Sequence, residues 1–159
     1  MPLAPDAAAL AALLPGTWRI GATNFPMWLR GDRLRPHFRY DLKTADPLVL
    51  DDVVGYTTAD GVEKTIVGVD RMRYDGFVWR GAGLLRFVTS RWAVAGVTED
   101  SNILVIRFAK SLLSPAGVDV VVREGSDSLA FRTQVAGLSE SLGLTHEEFA
   151  SLTWLELAD

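Results

Sequence analysis

A chain of 159 residues with 48% apolar and 23% charged side chains is long enough for one well-packed core and too apolar for a disordered chain. The absence of cysteine excludes disulfides, thiol catalysis and cysteine-ligated metals, and two histidines, His37 and His146, suit a structural zinc site poorly, so no metal or cofactor is expected. A formal charge of −4, with arginines scattered among aspartates, argues against a nucleic-acid partner, which needs a concentrated basic face.

In chain order, Met1-Pro2-Leu3-Ala4-Pro5-Asp6 carries no basic residue ahead of the apolar run 7–14. That run is too short to span a bilayer, so no membrane span is expected and the chain reads as cytoplasmic. Asp6 is placed to cap a short amphipathic helix that Pro15-Gly16 stops. From Thr17 onward, alternating segments recur at roughly ten-residue spacing between Gly, Asp and Pro, which predicts an all-β fold. The expected strands are 17–24, 35–43, 48–57, 62–70, 77–84, 90–97, 103–110 and 117–123. Tight turns are expected at Ala59-Asp60-Gly61, Asp75-Gly76 and Glu99-Asp100-Ser101-Asn102. Eight sequential strands with short connections close into an antiparallel up-and-down barrel wide enough for one small ligand.

The pattern changes after Gly125. Phe131, Val135, Leu138 and Leu142 repeat at helical spacing, which predicts a helix over 126–142 capped by Ser126 or Ser128 and ended by Gly143. Thr145-His146-Glu147-Glu148 fits a capping box, and a short closing strand is expected over 152–157. The helix must pack outside the barrel. Nothing divides the chain, so residues 1–159 read as a single domain: helix 1–14, barrel 17–123, helix 126–142 and closing strand.

Several motifs in this order resemble the lipocalins, within the wider calycin group, and are most similar to the bacterial lipocalins. Gly16-Thr17-Trp18 is similar to the first-strand Gly-x-Trp, Thr98-Glu99-Asp100 stands where the family's sixth turn carries Thr-Asp-Tyr, and Arg123 stands in place of the late arginine. The likeness covers about residues 14–157, including the C-terminal helix and a closing strand with Phe149 and Trp154. Departures are Asp100 in place of tyrosine, and the runs Trp79-Arg80-Gly81-Ala82-Gly83-Leu84-Leu85 and Ser90-Arg91-Trp92, which mark a distinct subgroup. The resemblance implies that Trp18 closes one end of the barrel with Arg123 stacked across it, a contact worth roughly 0.5–2 kcal/mol.

With Trp18 inward, Ile20, Ala22 and Asn24 follow on the same face. The likeness also places Phe38, Tyr40, Asp51, Val53, Ile66, Phe77, Trp79, Leu104, Ile106 and Phe108 toward the cavity, and the same alignment points Arg91 and Asp119 inward. These side chains make an apolar, aromatic pocket with a few polar groups. Charges inside a barrel are costly unless paired. Arg91, Asp51 and Asp119 are therefore either mutually satisfied, turned outward by a one-residue slip of register in their strands, or placed to hold the polar head of a ligand or act on it as acid and base. Phe25-Pro26-Met27-Trp28-Leu29, in the first loop at the open end, is either a lid over the mouth, a surface for a second copy of the chain or an extension of the first strand. Lys110-Ser111-Leu112-Leu113-Ser114-Pro115 offers the opposite lip.

Haem is not expected, because His37 falls on an outward face and His146 in a capping turn. Neither a nucleophile elbow nor a phosphate loop is present, and Gly81-x-Gly83 reads as a bulge. The leading expectation is a non-catalytic barrel binding a small hydrophobic molecule with a polar or anionic group near Arg91. The alternatives are a calycin-type isomerase, cyclase or hydrolase using Asp51, Asp119, Tyr40 and Arg91, and a homodimer with a filled barrel.

Overall fold

A computed structural model describes residues 5–112 and 114–157; residues 1–4, residues 158–159 and Leu113, one position of the expected 110–115 lip, lie outside the description. Helix α1 (Ala7–Leu13) precedes β1 (Gly16–Thr23), β2 (Leu34–Ala45), β3 (Leu48–Thr57), β4 (Glu63–Arg73), β5 (Gly76–Gly81), β6 (Thr89–Val97), β7 (Ile103–Phe108) and β8 (Gly117–Arg123). Helices α2 (Phe131–Leu138) and α3 (His146–Ser151) and the two-residue β9 (Thr153–Trp154) follow. Sequential strands pair antiparallel from β2 to β8, β8 returns to β1, and β1 pairs with β2. That last pairing closes an eight-stranded up-and-down barrel and leaves no open edge between first and last strands. None of the described helices is long and apolar enough to cross a membrane.

Two apolar layers hold the barrel. The inner one gathers Trp18, Ile20, Phe38, Tyr40, Leu104, Ile106 and Val121, and α1 seals its closed end with Leu10 and Leu14. The Asp6 carboxylate accepts from the Ala9 amide at 2.9 Å, which fixes where that helix begins. The outer layer packs Phe131, Val135, Leu142 and Leu152 of the C-terminal segment on Ile103, Val105, Val118, Val120 and Val122. Strands β7 and β8 are thus covered on both faces, which is why residues 103–106 and 120–122 read as apolar runs without alternation.

The C-terminal segment is less regular than its periodicity suggests. The Ser126 hydroxyl turns back to the Arg123 carbonyl at 2.7 Å, and the Asp127 carboxylate accepts from the Leu129 amide at 2.9 Å. Such local bonds compete with the helix, and α2 begins only at Phe131. The helix ends at Leu138 rather than at 142, Gly143 beyond it takes a left-handed conformation (φ +77°), and Thr145 and Glu148 form both halves of a capping box. Of the expected closing strand, only Thr153 and Trp154 pair, against Thr23 and Ala22.

The closed end is pinned by Trp18. Its indole N–H donates to the Leu14 carbonyl at 2.9 Å, and the Arg123 guanidinium lies 4.1 Å from its ring centroid. Arg123 also donates to the carbonyls of Leu13 (2.8 Å), Pro15 (3.3 Å) and Ser101 (3.4 Å), tying the N-terminal helix and the sixth turn to the barrel floor. Trp18 and Arg123 are direct cross-strand partners on β1 and β8.

Candidate functional site

A cavity of about 160 Å³ lies inside the barrel, beneath the first loop. Its wall includes Phe25, Met27, Trp28, Phe38, Tyr40, Ile66, Trp79, Phe108 and Asp119, together with Asp52, Val54, Ser90, Trp92 and Ser114. The loop enters the mouth as a one-turn 3-10 helix (Pro26–Trp28), with Phe25 and Trp28 only 4% and 5% exposed. Phe25 meets Phe108 edge-on at 5.2 Å, and the Thr23 hydroxyl accepts from the Phe25 amide at 3.0 Å, which fixes the loop's entry. Both rings are therefore covered by the chain's own barrel. Leu29, just beyond them, stays 41% exposed.

Rings line the inner wall. Trp92 stacks on Phe77 at 4.5 Å and on Tyr40 at 5.5 Å, and Tyr40 stacks on Phe38 at 6.1 Å. Such offset pairs favour fixed ring positions over a mobile greasy interior. Trp79 lies against Gly68, where a Cβ would stand 2.2 Å from its indole nitrogen, so the glycine makes room for the ring.

Three carboxyls are buried in this apolar surround. Asp119 is 1% exposed and its Oδ1 has no hydrogen-bond partner. Burial pushes its pKa up to about 7, with only the Thr23 hydroxyl and the Trp28 indole acting to lower it. Asp52 and Asp70 are 4% and 0% exposed and sit diagonally on neighbouring strands, with Asp70 opposite Leu50 and Asp52 opposite Gly68. Burial raises Asp52 to about 6 and Asp70 well above the ordinary carboxylate range, where the charge of Asp52 adds to the effect. The contact between the two carboxyls lowers Asp52 and raises Asp70, so Asp70 is the member that keeps a proton toward Asp52. Asp70 Oδ1 accepts from the Trp92 indole at 2.9 Å. Tyr40, fully buried, has its pKa raised by burial and then by all three acids, so its hydroxyl keeps its proton.

Five of the expected inward residues point elsewhere. Asp51 and Val53 face outward, and Asp51 lies 3.9 Å from Lys43 with half its side chain exposed. The cause is a bulge between Leu42 and Thr44: from Ala45 opposite Leu48 the pairing slips by one, so Tyr40 meets Asp52 rather than Val53. Asn24 also lies outside. A second bulge, between Ile20 and Ala22, turns Ala22 to the outer layer and Thr23 inward. Asn24 then accepts from the Val118 amide at 2.8 Å and donates to the Ser151 hydroxyl at 3.1 Å, a brace between barrel and α3. Arg91 is exposed on the outer face, because Phe77 and Trp79 pair with Trp92 and Ser90 and so carry Arg91 outward beside Val78. An anionic ligand group inside the barrel therefore has no Arg91 to meet. Phe77, Leu104 and Ile106 do face inward, but as packing around the cavity rather than as its wall.

The acid pair Asp52–Asp70 and Val54 were not singled out by the sequence, and Ser90, Trp92 and Ser114 were named only within the run 90–92 and the expected lip, not as cavity wall. The signal for Trp92 is its period-two spacing with Val94, both buried. His37 faces outward as expected, its ring filling the space beside Gly55 where a Cβ would stand 2.3 Å from Nε2.

A closed eight-stranded barrel with an N-terminal plug, a lidded internal cavity and an external C-terminal helix defines a lipocalin-type fold. Solved structures agree. Lobster apocrustacyanin A1 superposes with a TM-score of 0.63 at 8% identity, over 97% of this chain and 87% of that one. The siderocalin Ex-FABP gives 0.60 at 16% identity, over 92% and 95% of the two chains, and bovine odorant-binding protein 0.54 at 14%, over 89% and 92%. No protein-family model matches the chain, and no curated protein matches it by sequence.

Proposed function

We propose that this barrel binds one small, largely apolar molecule in the cavity under the Phe25–Trp28 loop. The observation that carries this reading is a partly open space of about 160 Å³, smaller than the roughly 300 Å³ of a typical ligand pocket but walled by aromatic rings, with a few polar groups converging on it. A dry cavity near 150 Å³ accommodates benzene, so the ligand is on the scale of a single ring rather than of an extended lipid. The fold adds support: bovine odorant-binding protein carries its ligand class in its name, and the siderocalin neighbour is described by dual ligand specificities. Native mass spectrometry of protein purified from its own host tests the reading, followed by denaturation and extraction. The expected result is a small adduct released on unfolding, or, for empty protein, saturable uptake of single-ring compounds that Val54→Trp abolishes by filling the space. Empty protein that takes up none of them overturns it.

A second reading, acid–base chemistry on the bound molecule, draws on Asp119 near 7 and on the proton that Asp70 keeps toward Asp52. Of the set Asp51, Asp119, Tyr40 and Arg91, only Tyr40 and Asp119 reach the cavity. Conversion of an extracted ligand by wild-type protein but not by Asp119→Asn supports this reading, and recovery of the ligand unchanged refutes it.

A further inference from the structure

Beyond binding as such, we infer that the cavity selects a small organic cation, an ammonium on a single-ring or similarly short carbon frame, with the ammonium at Asp119 and Asp52 and the frame against Phe38, Tyr40, Trp79 and Phe108. The inference rests on the binding reading above and adds the charge of the ligand.

The sign of the wall comes first. Among the described residues that line the cavity, the ionisable ones are Asp52, Asp119 and Tyr40, with no Arg, Lys or His. Arg91 is on the outer face, Lys43 pairs outside with Asp51, and Arg123 is spent on Trp18 and three carbonyls at the floor. An anion would meet buried acids with no counter-charge.

The second observation is independent of the first. Asp119 lines the cavity with 1% of the residue exposed, and its Oδ1 has no hydrogen-bond partner. Buried acceptors are nearly always satisfied, and one left open beside a cavity calls for a donor on whatever fills it. An ammonium supplies a donor and a compensating charge at once, in a charge-assisted bond that is stronger than the neutral kind.

The rings complete the argument. An ammonium is attracted to the electron-rich faces of Tyr and Trp as well as to a carboxylate, and Tyr40, Trp79, Trp92 and Trp28 all reach the cavity. Among the described residues no group of three or more His, Asp or Glu is arranged to hold a metal ion, so the geometry favours a charge carried on carbon over a bare cation. At pH 6 Asp119 in the empty barrel keeps its proton, which relieves the burial of charge; a bound ammonium displaces that proton and takes its place.

Calorimetry on the intact protein at pH 6, with benzylamine, toluene and benzoate as probes of one size and three charges, tests the inference. Benzylamine is expected to bind at least about tenfold more tightly than toluene, with benzoate weakest. The proton released by Asp119 should make the observed enthalpy differ between phosphate and Bis-Tris buffers. Asp119→Asn should reduce the benzylamine preference about tenfold while toluene binding persists. Asp52→Asn provides a second variant should the first fail to fold, as judged by circular dichroism. Toluene or benzoate binding as tightly as benzylamine, or an unchanged preference in the folded variant, overturns cation selection and leaves the binding reading standing. Failure of all three probes to bind overturns both.

Discussion

Replacing Asp119 by Asn should reverse its effect on stability between acid and alkaline pH. In the folded protein this carboxyl keeps its proton up to about 7, whereas in the unfolded chain it loses it near 3.8. Between those values the folded state binds more protons than the unfolded one, so the wild-type protein loses stability as pH rises and reaches its floor above about 7. A gap from 3.8 to about 7, at 1.36 kcal/mol per pH unit, corresponds to a penalty of about 4 kcal/mol on the ionised form. Asparagine does not ionise and so escapes that penalty. It can still accept one hydrogen bond from Thr23 or Trp28 but loses the other, at about 1 kcal/mol.

Net, the variant should be more stable than wild type by about 3 kcal/mol at pH 8.5 and less stable by about 1 kcal/mol at pH 4. Urea denaturation followed by tryptophan fluorescence at the two pH values measures both quantities. Asp52, Asp70 and Tyr40 face the same interior and titrate in both proteins, so their direct contributions largely cancel in the difference. An equal stability difference at the two pH values would show that Asp119 is already ionised in the folded chain and would refute the account of its burial.

The barrel's scaffold offers three simpler checks. Arg123→Ala removes the stack on Trp18 and the bonds to three carbonyls, and should cost about 2–4 kcal/mol, lowering the melting temperature by about 5–12 °C in calorimetry; an unchanged melting temperature would count against the plug. Gly96→Ala would place a Cβ 2.2 Å from the Leu142 carbonyl oxygen, so the C-terminal segment must shift off β6 at about 2–3 kcal/mol, visible as faster amide exchange over α2 and α3. Arg91→Leu, on the outer face, should leave urea stability within about 0.5 kcal/mol of wild type and leave probe affinity unchanged; a large loss of either would place Arg91 back inside the barrel.

Where the sequence carried a strict alternation, its reading of the barrel held. Phe38 and Tyr40 on β2 alternate with charged residues and face inward, while Phe77 and Trp79 on β5 and Leu104, Ile106 and Phe108 on β7, where Val78 and Val105 blur the alternation, face inward as the likeness to lipocalins implies. Where two neighbouring positions share a character, alternation says nothing. In Val49-Leu50-Asp51-Asp52-Val53-Val54 each class comes as a pair, and either register buries one apolar and one acidic set. The deciding fact was the bulge between Leu42 and Thr44, a backbone event without a composition of its own. The bulge at the end of β1 had a faint signal in Gly21, where a Cβ would stand 2.4 Å from the Phe131 ring, but only the packing of α2 reveals why a glycine is needed. The helix N-caps, by contrast, depend on contacts within four residues, and Asp6 and Thr145 behave as their local chemistry dictates.

The acids are the place where the interior departs from the rules the rest of it obeys. A barrel of this size could fill its core with aromatic and branched side chains alone, and around Trp18, Leu104 and Val121 it does. Each buried carboxyl adds a desolvation cost that an apolar residue of similar volume would avoid. Asp70 recovers part of that cost through the Trp92 indole, which also fixes the ring on which Tyr40 and Phe77 stack, so a structural role accounts for it. Asp119 has no such return at Oδ1, and Asp52 faces the same cavity with only the proton kept by Asp70 turned toward it. A penalty of about 4 kcal/mol at neutral pH is a large fraction of a typical folding free energy. Packing gives no reason for it, and a cationic occupant would convert the same two groups from a cost into the source of selectivity.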